Sequence, residues 1–217
     1  MLLLDLLFPP RCVGCARGGH WFCPVCVAAI APAPAWKEGL EPLAGLWVAG
    51  LYEDPLRTAI HALKYEGKRQ VAGPLGRLLV ATYRSQNAGD TRMRFDALLP
   101  VPLHPKRQAE RGYNQSALLA RRLARGVGVP IVEDALRRSR NTPQQAGLEG
   151  TKRRANVAGA FACEPGHPAL VGRRLLLVDD VCATGATLAA CAWALRAAGA
   201  REVWGLTLAR PALYPDA

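Results

Sequence analysis

The chain has 217 residues, half of them hydrophobic and 21% charged, with 28 Lys and Arg against 17 Asp and Glu for a formal charge of +11. That length and balance predict one large domain, or one domain with an appendage, and exclude a disordered or fibrous chain. The N-terminal run MLLLDLLF is apolar for only eight residues, carries Asp5, lacks a basic flank and meets Pro9-Pro10. It fits neither a signal peptide nor a membrane span, so the chain reads as cytoplasmic with no membrane span.

Seven cysteines in such a chain point to metal or free thiols rather than disulfides. Cys12, Cys15, Cys23 and Cys26 form two C-x-x-C pairs separated by seven residues, whereas Cys163, Cys182 and Cys191 are scattered. Two knuckles that turn four thiolates toward one point suit a closed, structural, tetrahedral zinc site. Redox-active dithiols, or His20 in place of one thiolate, are the alternatives. A segment this short buries little surface, so a metal would supply much of its folding free energy. Ala31-Pro32-Ala33-Pro34-Ala35 then reads as a semi-rigid linker. It divides a four-cysteine module at 1–35 from a larger domain at 36–217.

Trp47 to Tyr52 reads as a strand, with Asp54-Pro55 as N-cap and first turn of a helix whose Leu56, Ile60 and Leu63 share a face. Leu75, Leu78 and Leu79 mark a second helix. Asp96 to Val101 is a short apolar strand, followed by a polar loop and a helix carrying Leu118, Leu119 and Leu123. Val129 to Val132 suggests another strand, and Arg137 to Ala158, without apolar period, an exposed loop. Arg174 to Val178 is a continuous apolar run. Thr187 to Ala198 is an alanine-rich helix stopped by Gly199, and Val203 to Leu208 is the next strand. Strands alternating with helices imply an α/β fold built on a parallel sheet.

The most informative segment runs from Leu175 to Leu188, where a buried strand delivers Asp179 and Asp180 to a small-residue turn that opens a helix. Ala183, Gly185 and Ala186 let backbone amides approach an anion, and the helix adds its N-terminal partial charge. Thr184 and Thr187 add hydroxyl donors. The two carboxylates would repel phosphate and suit sugar hydroxyls instead. An ordinary strand cap followed by a tight turn is the competing reading.

This segment resembles the phosphoribosyl-diphosphate signature of type I phosphoribosyltransferases. Ala183 departs from it, since many members carry Thr there. The wider pattern is similar to the ComF family. It comprises Leu3 to Pro10 and the four cysteines, Leu63-Lys64-Tyr65, Pro100-Val101-Pro102-Leu103, Arg111-Gly112-Tyr113-Asn114-Gln115-Ser116, Gln144-Gln145 and Arg154-Ala155-Asn156-Val157. The resemblance implies a type I phosphoribosyltransferase-like parallel sheet flanked by helices, behind a small N-terminal zinc-binding module. It also implies phosphoribosyl diphosphate as ligand, magnesium bound with that substrate, and a link to natural transformation through uptake of single-stranded DNA.

Between His104 and Ala158 stand twelve Lys and Arg against four Asp and Glu, an excess of +8. By comparison with the fold family, His104 to Gly112 sits where a pyrophosphate loop follows a strand, and Arg137 to Ala158 where a hood closes over substrate. Lys106, Arg107 and Arg111 are the first candidates for diphosphate contact, because fixed positive charge stabilises a departing diphosphate. Lys64 is a further candidate, against the reading of a solvated helix-end lysine. Arg121, Arg122 and Arg125 read as an exposed helix face, and Cys182 as a small buried side chain rather than a nucleophile. The expected activity is phosphoribosyl transfer to an acceptor that no segment identifies. A non-catalytic adaptor for single-stranded DNA and the DNA-uptake machinery, with Trp21 or Trp36 as stacking surfaces, is an alternative. A sensor of phosphoribosyl diphosphate is another.

Overall fold

The computed structural model of the protein describes residues 9–34, 40–88, 93–139 and 159–212. Expectations placed on 1–8, on Ala35 and Trp36, and on 140–158 with Gln144, Gln145 and Arg154 lie outside the described residues. The elements in chain order are α1 (Pro24–Ala28), β1 (Gly45–Leu51), α2 (Leu56–Tyr65), a 3-10 turn (Arg69–Val71) and α3 (Ala72–Asn87). There follow β2 (Ala97–Pro100), α4 (Pro105–Arg111), α5 (Gln115–Val127), β3 (Leu136–Arg138), β4 (Phe161–Cys163), β5 (Arg174–Val181), α6 (Ala186–Ala197) and β6 (Glu202–Arg210).

Six consecutive buried residues in β5 mark a strand covered on both faces. It stands inside a four-stranded sheet of order β1-β6-β5-β2, parallel throughout. One face packs Leu176, Val178, Leu206 and Leu208 against Leu56, Ile60, Leu75, Leu79, Leu119 and Leu123 of α2, α3 and α5. The other packs Leu175, Leu177 and Val203 against Leu188, Cys191 and Leu195 of α6. Each fully buried leucine contributes about 1.5–3 kcal/mol of transfer free energy. Because all four strands run the same way, the segments leaving their C-terminal ends gather at one edge, where ligands of open α/β sheets bind.

Three local expectations change. The polar loop after β2 is a helix, α4. His104 Nδ1 accepts the Lys106 N–H at 3.2 Å, Pro105 occupies the first turn, and Gly112 at φ 76° ends it with its N–H on the Gln108 carbonyl. It buries no residue and so leaves no apolar period in the sequence. The strand expected at Val129–Val132 reduces to one parallel bridge between Leu98 and Ile131, because Pro130 has no N–H for a longer ladder. Asp54 binds the Arg57 guanidinium and the Thr58 hydroxyl, both at 2.6 Å, and α2 itself begins at Leu56.

The cysteine segment shares the main core: Cys12, Phe22, Cys23 and Cys26 belong to the same buried cluster as Trp47 and Leu56. The Leu51 N–H donates to the Ala31 carbonyl at 2.8 Å, joining this segment to the end of β1. Trp21 is half-buried against that core. Among the described residues no helix is long and apolar enough to cross a membrane.

Gly45 tests the packing of β1 on β6. A Cβ there would lie 2.3 Å from Trp204, whose indole N–H is tied to Glu202 at 2.7 Å and whose ring stands 5.4 Å from Trp47. Gly45→Ala is expected to destabilise the fold by about 1–3 kcal/mol in urea melts. Gly18→Ala, whose Cβ would meet nothing within 4 Å, should stay within about 0.5 kcal/mol of wild type.

Candidate functional site

Asp179 and Asp180 end β5 and are both buried. Successive residues of a strand point to opposite faces, so the two carboxylates find different partners. Asp179 Oδ1 accepts the Ser116 hydroxyl at 2.8 Å and the Asp180 N–H at 2.9 Å. Asp180 Oδ1 pairs with Lys64 Nζ at 2.6 Å, while its Oδ2 is buried with no partner. An acceptor left unmet in this way costs about 1–3 kcal/mol, and it stands where a ligand donor or a cation on a ligand would meet it. Burial opposes the charge of Lys64, but the neighbouring Asp180 carboxylate outweighs burial and holds its pKa above the ordinary lysine value. Lys64, a candidate from the sequence, faces the acidic pair.

The segment Arg111 to Ser116 acts as a clamp. Tyr113 donates its hydroxyl to the Leu63 carbonyl, next to Lys64, and carries Arg69 4.5 Å above its ring. Asn114 caps α5, accepting the Ser116 N–H at 2.9 Å, and its amide donates to the Val101 carbonyl at 3.0 Å. Gln115 accepts from Arg111. These bonds fix the end of β2, the last turn of α2 and the first turn of α5 around Asp179 and Asp180.

A cleft of about 230 Å³ opens above them. Its charged lining is Lys64, Arg107, Arg111, Arg138, Asp179 and Asp180, and Ser116 and Thr187 add hydroxyls. Arg107 and Arg111 are four residues apart on α4 and share the face turned to the cleft. Lys106, one position earlier, is exposed and stands outside the lining. Arg138, on the β3–β4 hairpin, was not singled out as a site residue from the sequence. It lies 5.3 Å over the Phe161 ring, and burial together with the nearby Arg107 lowers its pKa. Arg137 and Arg138, read from the sequence as the start of the exposed hood loop, instead belong to β3, and a hairpin of three-residue strands leaves little period to read. Tyr65 stands half-exposed at the rim with Arg111 5.3 Å from its ring.

The turn after β5 has the features of an anion cradle. Gly185 adopts φ 75°, and a Cβ there would run into Leu40. Among the described residues no backbone hydrogen bond uses the N–H groups of Ala183, Thr184 or Ala186. Thr184 Oγ1 is buried with no partner. Thr187 lines the cleft, so the turn adjoins the acidic pair. Cys182 is buried, and burial followed by the charge of Asp179 pushes its thiol up to about 12, the behaviour of a packing residue rather than a nucleophile.

The four N-terminal thiols converge as their spacing predicts. Cys12 and Cys26 sulfurs lie 3.7 Å apart, Cys15 and Cys23 3.6 Å, and all four within 4.8 Å of one another. Metal–sulfur bonds of about 2.3 Å at tetrahedral angles place sulfurs about 3.8 Å apart, so the donor set fits zinc. Burial raises Cys12, but the amides of Cys23, Cys15 and Gly14 outweigh it and bring the thiol down to about 6. His20 is exposed and is not part of the cluster.

Burial, then the charge of Asp180, pushes Asp179 up to about 7 from an ordinary 3.8. The folded chain thus holds this proton more tightly than the unfolded chain. The contribution is fully present below about 4 and is lost as pH rises through about 7. Asp179→Asn keeps an acceptor for Ser116 and removes the charge. Its melting temperature should exceed wild type, by more at pH 8 than at pH 5, as differential scanning calorimetry would record.

Comparison with known proteins agrees with this architecture. Residues 113–212 match the model of the phosphoribosyl transferase domain. The chain is 32% identical over 202 residues to competence protein F of Haemophilus influenzae, covering 92% of this chain and 85% of that protein. It is 32% identical to DNA utilization protein YhgH of Escherichia coli K12, over 93% of this chain and 84% of that one. It is 28% identical to competence protein ComFC of Bacillus subtilis 168, over 73% and 61% respectively. With its parallel sheet, its acid pair before a small-residue turn and its four clustered cysteines, the chain belongs to the ComF family of competence proteins and carries a phosphoribosyltransferase domain.

Proposed function

We propose that the cleft binds phosphoribosyl diphosphate together with magnesium, that the chain transfers the phosphoribosyl group to an acceptor, and that it works in DNA handling during natural transformation. The observation that carries the reading is the buried acid pair at the end of β5, flanked on one side by the open turn and on the other by Arg107, Arg111 and Arg138. A ligand with a terminal phosphate, two vicinal hydroxyls and a diphosphate has groups for all three regions. The 5-phosphate meets the N–H groups of Ala183, Thr184 and Ala186 and the Thr184 hydroxyl. The ribose hydroxyls donate to Asp179 and Asp180.

The diphosphate leaves as its bond to C1 breaks and the acceptor's electron pair forms the new bond to C1. Arg107, Arg111 and Arg138 face the charge that develops on the leaving group, where fixed donors contribute most. Guanidinium groups suit this because their planar fork meets two phosphate oxygens at once. The unmet Oδ2 of Asp180 fits magnesium, which is held mostly by substrate oxygens and would supply charge neutralisation on the diphosphate. Lys64 orients the Asp180 carboxylate through their ion pair. DNA handling rests on family membership with competence and DNA utilization proteins.

The cysteine cluster is assigned to structural zinc on the fit of its four sulfurs. Its role is to fasten the first segment to the core around Trp47 and Leu56.

Calorimetric titration with phosphoribosyl diphosphate and magnesium checks the cleft. Wild type should bind, and the double variant Asp179→Asn, Asp180→Asn should weaken binding at least about 100-fold, since a hydrogen bond to a charged group contributes about 1.5–3 kcal/mol. Arg107→Ala should weaken it and Lys106→Ala should not. Folded wild type giving no heat, or heat equal to that of the double variant, overturns the assignment. Binding without diphosphate release across an acceptor panel would favour a sensor over a transferase.

Metal analysis checks the cluster: purified protein should hold about one zinc per chain, released by a thiol-specific mercurial. Removal should lower the melting temperature. A chain that carries no metal and melts identically after chelation would contradict the zinc assignment.

A further inference from the structure

The helix that carries two of the cleft's arginines has no packing of its own. Helix α4 buries no residue, so burial does not fix where its side chains point. A long charged side chain on such a helix samples many rotamers, and a contact with a ligand must first offset the loss of that freedom. Two groups from outside the helix meet the Arg111 guanidinium. Gln115, in the first turn of α5, accepts its N–H, and the ring of Tyr65 stands with its centroid 5.3 Å from the guanidinium carbon.

Tyr65 ends α2 and is 56% exposed, whereas Leu56, Ile60 and Leu63 of the same helix are fully buried. Its ring therefore adds little to the core and much to the mouth of the cleft, which it lines beside Lys64. The two residues are consecutive and serve different sides: Lys64 reaches Asp180 at 2.6 Å, and Tyr65 meets Arg111. One turn back on α2, His61 packs against the same ring with centroids 4.9 Å apart, and its Nδ1 lies 3.2 Å from the Glu66 carboxylate. The ring is thus supported by its own helix. Both groups that meet Arg111 are neutral. Elsewhere on the surface, exposed arginines are held by acids: Arg57 by Asp54 and Arg121 by Glu133, each at 2.6 Å.

We infer that Tyr65 is a positioning residue, whose ring holds the Arg111 guanidinium toward the cleft for the diphosphate of the substrate. The inference rests on the reading of the cleft as a phosphoribosyl diphosphate site. A carboxylate would fix the same guanidinium but would cancel the charge that a departing diphosphate requires. An aromatic face fixes the cation without cancelling it, and leaves the N–H groups at its edge for phosphate oxygens. Preorganised positive charge is what the reaction needs at this point, because it has no reorganisation left to undergo as the bond to C1 breaks. The last turn of α2 then places two groups with separate tasks: Lys64 orients an acid that faces the ribose, and Tyr65 orients an arginine that faces the leaving group.

The test is calorimetric titration with phosphoribosyl diphosphate, inorganic diphosphate and ribose 5-phosphate, each with magnesium. Tyr65→Ala should weaken the first two about 5-fold, the size of a ring–cation contact at a half-exposed position, and leave ribose 5-phosphate unchanged. Tyr65→Phe keeps the ring and should match wild type. In an Arg111→Ala background Tyr65→Ala should have no further effect, and in an Arg107→Ala background it should keep its full effect. A ring that merely propped α4 as a whole would lose part of its effect in both. If Tyr65→Ala fails to fold, Tyr65→Leu, which keeps apolar bulk without a ring face, carries the same expectations. Wild type that binds none of the three probes overturns the cleft reading and this inference together. Wild type that binds phosphoribosyl diphosphate overturns this inference alone if Tyr65→Ala matches it, if ribose 5-phosphate is weakened equally, or if the Tyr65→Ala and Arg111→Ala effects add.

Discussion

Two carboxylates held out of water at the end of one strand organise this molecule. Asp179 and Asp180 follow an unbroken apolar run whose burial fixes where they emerge, and burial of charge is costly unless partners stand ready. The partners come from elsewhere in the chain: Lys64 from the end of α2, and Ser116 from the start of α5. Each needs its own support. Tyr113 ties α2 to the α4–α5 junction through the Leu63 carbonyl, and Asn114 ties that junction to the end of β2. The family motif around Arg111 to Ser116 thus has a structural meaning: it is the brace that brings compensating groups to the acids.

Much of this was legible in the sequence because it depends on local pattern. An apolar strand, a pair of acids, a turn of small residues and a helix are contiguous, and contiguous chemistry can be read without knowing the fold. The four sheet strands were legible as apolar runs. What stayed hidden depends on long-range placement or on segments that bury nothing. Helix α4 has no apolar face, so only His104-Pro105 and Gly112 marked its ends. Its helical form decides that Arg107 and Arg111 face the cleft and Lys106 does not. Arg138 reaches the cleft through a hairpin whose second strand lies some twenty residues later, a pairing no local period encodes. Ser116 appeared in the sequence only as the last residue of the family motif, and its partner Asp179 lies 63 residues further along the chain.

The cysteine segment joins the same mechanical system. Gly14 packs where a Cβ would lie 3.2 Å from Pro55, immediately ahead of α2, and Phe22, Cys23 and Cys26 share a core with Leu56. The far end of that helix presents Lys64 to Asp180. The four-cysteine cluster and the acid pair therefore bear on opposite ends of one ten-residue helix. Order in the first segment supports the position of the lysine through packing, without either site touching the other.

The basic excess of 104–158, one feature in sequence, divides in space. Arg107, Arg111 and Arg138 turn toward a cleft that also contains two acids, whereas Arg122 and Arg125 join Arg77 and Arg84 where there are none. Mixed sign in a small cleft requires each buried charge to find its match, because an unmatched one is penalised. A single sign along the open groove between α3 and α5 makes no such demand, because its exposed arginines keep their hydration. Helix α5 carries both arrangements, its first turn against the acids and its last turns in the groove, so one rigid element fixes the distance between the acid pair and the arginine cluster.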